Sequence, residues 1–166
     1  RKWPALEGYQ VQLARCLDEL VDKGHQILFI PMAYPDDVEE SQRITSLMKN
    51  PATIIDKDLN SREHLALISH MHFVIGMRLH ALVFAASMGV PFAGISYDPK
   101  VDAFLKEFDM TPLPLQSAAM TAQLNRLLSS EDFRRRIALA STDLRSRAEE
   151  NARLALSLLQ PGKAVN

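Results

Sequence analysis

An arginine and a histidine two residues apart, Arg78 and His80, follow a short apolar run and Gly76, and they open an acid-free apolar stretch that ends at Ser87. Where a strand turns into a helix in this way, backbone N–H groups and the positive end of the helix dipole face the same space, which makes an anion site. A guanidinium placed there can hold a carboxylate or phosphate through two parallel hydrogen bonds, a geometry that lysine lacks. A histidine beside it can give up a proton or, as imidazolium, steady a departing anion. Each residue also has a plainer reading. Arg78 could be a surface arginine that the dipole disfavours by about a few tenths of a kcal/mol, and His80 a satisfied, half-buried side chain. Tyr97, Asp98 and Lys100 fall in the loop and first turn after the next apolar run. Asp98 reads as a helix cap; Lys100 is either within reach of an anionic ligand or simply solvated.

The remaining histidines do not suggest a metal. His64 and His70 fall on a helical pattern, His72 opens a strand pattern and His25 lies by Gly24 before the first strand, at the expected opposite end of the sheet. No two of His64, His70 and His72 have the i, i+4 spacing with an acidic helix partner of a zinc site. The single cysteine, Cys16, has no second thiol for a disulfide or a metal, which fits a reducing cytoplasm. Neither a metal nor a cofactor is expected.

The elements that position these residues follow from hydrophobic periodicity. Residues 6–20 carry apolar positions at helical spacing with Lys23-Gly24 as a stop. The runs 26–30, 52–55, 72–75 and 91–95 are short and apolar without alternation, as in parallel strands covered on both faces. Between them lie a helix from Asp36-Asp37 to about Met48, and one from the capping pair Asn60 and Glu63 through Met71. A third opens at Met77-Arg78 and runs through Ser87. Small Ala85 and Ala86 suit close packing of that third helix on the sheet. Asp98-Pro99 caps a helix to Glu107, and two helices close the chain, the second starting near Ser129 and Ser130. In that last helix Glu131, Asp132, Asp143 and Glu149 each stand four residues before Arg135, Arg136, Arg147 and Arg153, the favourable order for pairing. Consecutive Arg134, Arg135 and Arg136 therefore point around a paired helix rather than forming a nucleic-acid face.

Alternation of this kind predicts a doubly wound, mainly parallel sheet with helices on both faces, Rossmann-like, over residues 1–166 as a single domain. Ligands of such sheets bind at the carboxyl ends of the strands, which here carry residues 31–37, 76–80 and 96–100. The bulk numbers agree: 166 residues with 47% hydrophobic and 23% charged content suit one globular core. Nineteen basic against twenty acidic residues, net charge -1, steer the chain toward neither nucleic acid nor an anionic membrane. The longest nearly uncharged run, 81–97, is broken by Gly89 and Pro91 and falls short of the ~20 residues of a membrane span. Arg1-Lys2-Trp3-Pro4 begins no signal peptide and resembles the loop after a strand, so an upstream domain of a longer protein is expected to be absent here.

The stretch 76–101, with Gly76-Met77-Arg78-Leu79-His80 at its start and Ser96-Tyr97-Asp98-Pro99-Lys100 near its end, resembles the signature region of polysaccharide pyruvyl transferases, especially the CsaB-like group. Pro31-Met32 followed by Asp37, and Arg1-Lys2-Trp3, support the likeness. The resemblance covers nearly the whole chain as the carboxy-terminal half of a GT-B-like enzyme. It implies transfer of pyruvate from phosphoenolpyruvate to a cell-wall or surface glycan, commonly lipid-linked, in the cytoplasm and at the inner membrane face. By likeness, Arg78 and His80 match the arginine and histidine that handle phosphoenolpyruvate and Arg1 is a weaker match to another donor-binding arginine, while Lys100 and Tyr97, from their place after the last strand, are further expected substrate-binding residues. A GT-B glycosyltransferase using a nucleotide sugar and a non-catalytic Rossmann-like binding module are the competing expectations.

Overall fold

The computed structural model describes residues 8–159. Helix α1 (Tyr9–Asp22) leads into strand β1 (Leu28–Phe29), α2 (Asp36–Leu47), β2 (Thr53–Ile54), α3 (Ser61–Ser69), β3 (Val74–Gly76) and α4 (Leu79–Ser87). Strand β4 (Phe92–Gly94), α5 (Pro99–Lys106), α6 (Ser117–Ser129) and α7 (Glu131–Leu159) complete the order. The expected capping chemistry is present. Asn60 accepts from the N–H groups of Arg62 and Glu63 while Glu63 accepts from that of Asn60, a full capping box. Asp98 accepts from the Lys100 N–H with Pro99 in the first helical turn.

Helices α1, α2 and α6 pack together on one face of the strands, and α3, α4 and α7 on the other, with α5 against α4. The strands divide their side chains accordingly. Ala93 and Ile95 join Leu13, Leu17, Ile44 and Leu124 in one core, whereas Phe92 joins Ile68, Leu82, Leu105 and Ile137 in the other. This period of two with both faces buried is why the strand segments read as unbroken apolar runs. Within the second core Phe92, Phe104 and Phe108 form a ring cluster with centroids 5.0 to 5.9 Å apart.

Three local expectations are corrected. Helix α4 begins at Leu79 rather than Met77, because Arg78 stays extended (φ -87°, ψ 135°) and its side chain reaches a distant carboxylate. Of the four arginine pairs in α7, Glu131–Arg135, Asp143–Arg147 and Glu149–Arg153 form. The fourth does not: Arg136 instead lies over the Phe133 ring, 5.6 Å from its centroid, where a weakly hydrated guanidinium is also favoured. The single sheet is divided, β1 pairing with β2 and β3 with β4, both parallel.

Gly76 and Gly94 stand opposite each other on the β3–β4 ladder. A Cβ at Gly76 would meet Leu82 Cδ2 at 2.6 Å, and one at Gly94 would meet Leu105 Cδ1 at 2.9 Å. Both leucines are fully buried. These glycines let α4 and α5 lie close against the strands. Gly94→Ala is therefore expected to destabilise the fold by ~1–3 kcal/mol through overpacking. In a urea titration this would lower the midpoint without changing the slope; an unchanged midpoint would show that the helix yields instead.

Candidate functional site

The loop after β1 curls so that Asp37, in the first turn of α2, receives the backbone N–H groups of Met32 (3.0 Å) and Ala33 (2.9 Å) on Oδ2. An acid at a helix start is favoured by the dipole, which is the local reason for Asp37. From the end of β3, Arg78 approaches the same carboxylate and donates Nε to Oδ2 (2.7 Å) and Nη2 to Oδ1 (2.5 Å). Asp37 is buried and the Arg78 side chain is about one-quarter exposed, at 26%. The bond to Asp37 pushes the Arg78 guanidinium further up from its already high range, against the opposing effect of burial. It is a permanent cation. The two parallel hydrogen bonds expected for an incoming anion are made here to a resident carboxylate, 41 residues away in the chain.

One turn further along α2, buried Glu40 accepts from the Tyr9 hydroxyl, from Gln10 Nε2 (3.1 Å) and from Arg43 Nη1 (3.2 Å). Asp37, Glu40, Tyr9 and Arg78 form the polar end of a cleft of about 230 Å³ that runs between β1 and β3, with Phe29, Phe73 and Ile75 among its apolar walls. Burial, and then the bond to Glu40, push the Tyr9 hydroxyl well above its ordinary value of 10.0. The folded chain then keeps this proton at pH values where the unfolded chain has lost it. The stability Tyr9 contributes is complete below pH ~10 and is lost as pH rises above it. Tyr9→Phe is expected to show a shallower fall in unfolding free energy between about pH 10 and 11 than the parent chain; identical slopes would refute the coupling.

The other candidates sit at the same carboxyl edge, since they follow strands that pair in register. His80 is exposed in the first turn of α4, its ring 6.5 Å from that of Phe84. Tyr97 is half-buried after β4 and interacts electrostatically with Arg78. Lys100 is exposed in the first turn of α5. Arg1 lies outside the described residues. The fold thus brings Tyr97 to Arg78 and leaves His80 and Lys100 open to solvent.

His64, by contrast, is buried and spans two elements. Its Nε2 lies 2.8 Å from the Pro31 carbonyl and its Nδ1 3.1 Å from that of Asn60, so it ties α3 to the loop that carries Asp37. His25, His70 and His72 are exposed. Among the described residues no three of His, Cys, Asp and Glu stand together as a metal site, and no helix is long and apolar enough to cross a membrane.

Asp37 as the partner of Arg78, and the pair Tyr9 and Glu40, were not legible as site residues. Asp37 was visible as a helix-start acid, as part of the family resemblance and within the segment 31–37 at a strand's carboxyl end, on the same edge as Arg78; its pairing with Arg78 was not.

A family model described as polysaccharide pyruvyl transferase matches residues 1–99, a stretch that includes both Asp37 and Arg78. The amylovoran biosynthesis protein AmsJ of Erwinia amylovora is 19% identical over an alignment of 148 residues that covers 81% of this chain and 36% of AmsJ. The chain therefore spans little more than a third of that relative. Among solved structures, the chain is similar to a protein assigned as a candidate UDP-N-acetylglucosamine 2-epimerase from Listeria monocytogenes. The TM-score is 0.62 at 10% identity, over 92% of this chain and 44% of the other. At that identity the likeness concerns the fold, a Rossmann-like domain of GT-B type.

Proposed function

This chain belongs to the polysaccharide pyruvyl transferase family, and from that premise we propose that it is the donor-binding half of an enzyme that moves pyruvate from phosphoenolpyruvate onto a glycan sugar. The observation that carries the reading is the Arg78–Asp37 fork at the carboxyl edge of the strands. Asp37 holds the guanidinium in one orientation before any ligand arrives, so little reorganisation is needed when an anion docks against it. The cation is already in place.

The chemistry asks for an acid and for fixed positive charge. A proton added to the methylene carbon of phosphoenolpyruvate leaves an oxocarbenium-like centre at the neighbouring carbon. A sugar hydroxyl attacks that centre and loses its proton; phosphate then departs with the electrons of its C–O bond. A second hydroxyl of the sugar attacks the oxocarbenium centre this leaves, closes the ketal and gives up its proton, which the departing phosphate takes. Arg78 faces the carboxylate or phosphate of the donor. His80, exposed one helical step away, either supplies the proton or steadies the phosphate as imidazolium. Tyr97, Lys100 and Arg1 complete the donor side. The acceptor is a cell-wall or surface glycan intermediate, commonly lipid-linked, reached in the cytoplasm at the inner membrane face, with an upstream domain closing the cleft. No cofactor takes part in this scheme.

Calorimetric titration with phosphoenolpyruvate and, in parallel, with a uridine nucleotide sugar tests the reading, each repeated on Arg78→Ala. Phosphoenolpyruvate binding that disappears in the variant is the expected result. Selective binding of the nucleotide sugar would move the assignment to glycosyl transfer.

A further inference from the structure

The division of the sheet falls where a doubly wound fold has its centre. In a parallel ladder, successive residues turn their backbone groups to alternate sides. On β1, the carbonyls of Ile27 and Phe29 accept from Thr53 and Ile55, each at 3.0 Å, so Leu28 between them turns its N–H and C=O away from β2. On β3, Val74 donates to the Pro91 carbonyl and Gly76 accepts from Ile95, each at 2.9 Å, so Ile75 turns its backbone away from β4. Leu28 and Ile75 both line the cleft. Two hydrogen-bonding edges thus oppose each other across an apolar space. The cleft between them has a volume of about 230 Å³.

The helices say what belongs there. Helix α1 starts where Tyr9 and Gln10 meet Glu40, in the early part of α2, and its far end is tied by Asp18 to the N–H groups of Lys49 and Asn50, just past α2. The two helices therefore run side by side in the same direction, and on the same face of the strands. Helix α2 is the crossover from β1 to β2. Right-handed crossovers on one face all advance across the sheet in one direction. A strand feeding α1 must then lie beside β1 on the side away from β2, and that side is the cleft. The opposite face agrees: α3 and α4 carry the chain from β2 to β3 and on to β4 in the reverse direction.

We propose that the cleft is the seat of a fifth parallel strand, an extended apolar segment of the polypeptide upstream of this chain's first residue, giving the order β2, β1, fifth strand, β3, β4. The pattern is that of a doubly wound sheet whose direction reverses between its fifth strand and β3. Asp37 follows β1 and Arg78 follows β3, so their ion pair closes over the carboxyl end of the inserted strand. That strand's last residue then arrives beside the fork, and part of the donor site comes from upstream.

Hydrogen exchange measured by mass spectrometry tests this on two versions of the protein: residues 1–166 alone, and the same chain carrying its own ~10 upstream residues, enough for a strand and its lead. Segments containing Leu28 and Ile75 are expected to exchange at least about tenfold more slowly in the extended chain. Two prolines at alternate positions of the extension should abolish that protection, since proline has no N–H for a ladder. Equal exchange in the extended chain and its proline version would overturn the proposal. So would protection already present in 1–166, whether independent of concentration, meaning β1 and β3 bond each other, or rising with concentration, meaning a second copy fills the cleft.

Discussion

On the donor-site reading proposed above, Arg78→Ala in the full-length protein is expected to lower pyruvyl transfer by about 10²–10³-fold, the scale seen when one preorganised donor at a developing anion is removed. The same substitution tests a second quantity. Asp37 would remain buried with the Met32 and Ala33 amides as its partners and no cation opposite. Breaking a fully buried pair costs ~3–5 kcal/mol; with the Arg78 side chain 26% exposed, the cost here is expected to be nearer ~1–3 kcal/mol. Arg78→Lys separates the two effects. Lysine keeps the charge and recovers much of the stability, but a point charge cannot reproduce the planar fork, so transfer should stay well below that of the parent. Steady-state kinetics beside a urea titration reads both. Full turnover by Arg78→Ala would remove Arg78 from the donor site, and full turnover by Arg78→Lys would show that charge alone suffices.

His80→Ala is expected to reduce transfer by ~10²–10⁴-fold, the range for a positioned general acid, while the unfolding free energy stays within about 0.5 kcal/mol of the parent. The side chain is exposed, and its ring contact with Phe84 is a tilted one at 6.5 Å, so little packing is lost. His80→Gln divides the two roles left open for this residue. Glutamine can still donate a hydrogen bond to phosphate but cannot deliver a proton. Recovery of most of the lost rate would make His80 a phosphate ligand; continued loss would make it the acid. An alanine variant with unaltered turnover would place the acid elsewhere, with the upstream domain as the next place to look.

Much of the architecture was readable from short-range pattern. Three of the four strands fall inside the predicted apolar runs and β3 extends one residue beyond its run, to Gly76, and the Asn60–Glu63 box and the Asp98–Pro99 start appear as expected, because each depends on groups within about four residues. The same holds for the position of Arg78 and His80 at a strand-to-helix turn. What they touch was not readable. The Tyr9–Glu40 and Arg78–Asp37 contacts span 31 and 41 residues, and His64 reaches the Pro31 carbonyl across 33.

Arg136 shows the limit even within one helix. Spacing offers it Asp132, and the folded chain offers it the Phe133 ring. Hydrophobic period, caps and turn residues thus determined the order of elements and the edge on which the candidate residues lie, since those signals act along the chain. Which carboxylate meets Arg78, and that β1 and β3 stand apart over a cleft, was decided by the tertiary structure. Both depend on which strand edges come side by side, and a backbone edge has no signature in the side chains that the sequence spells out.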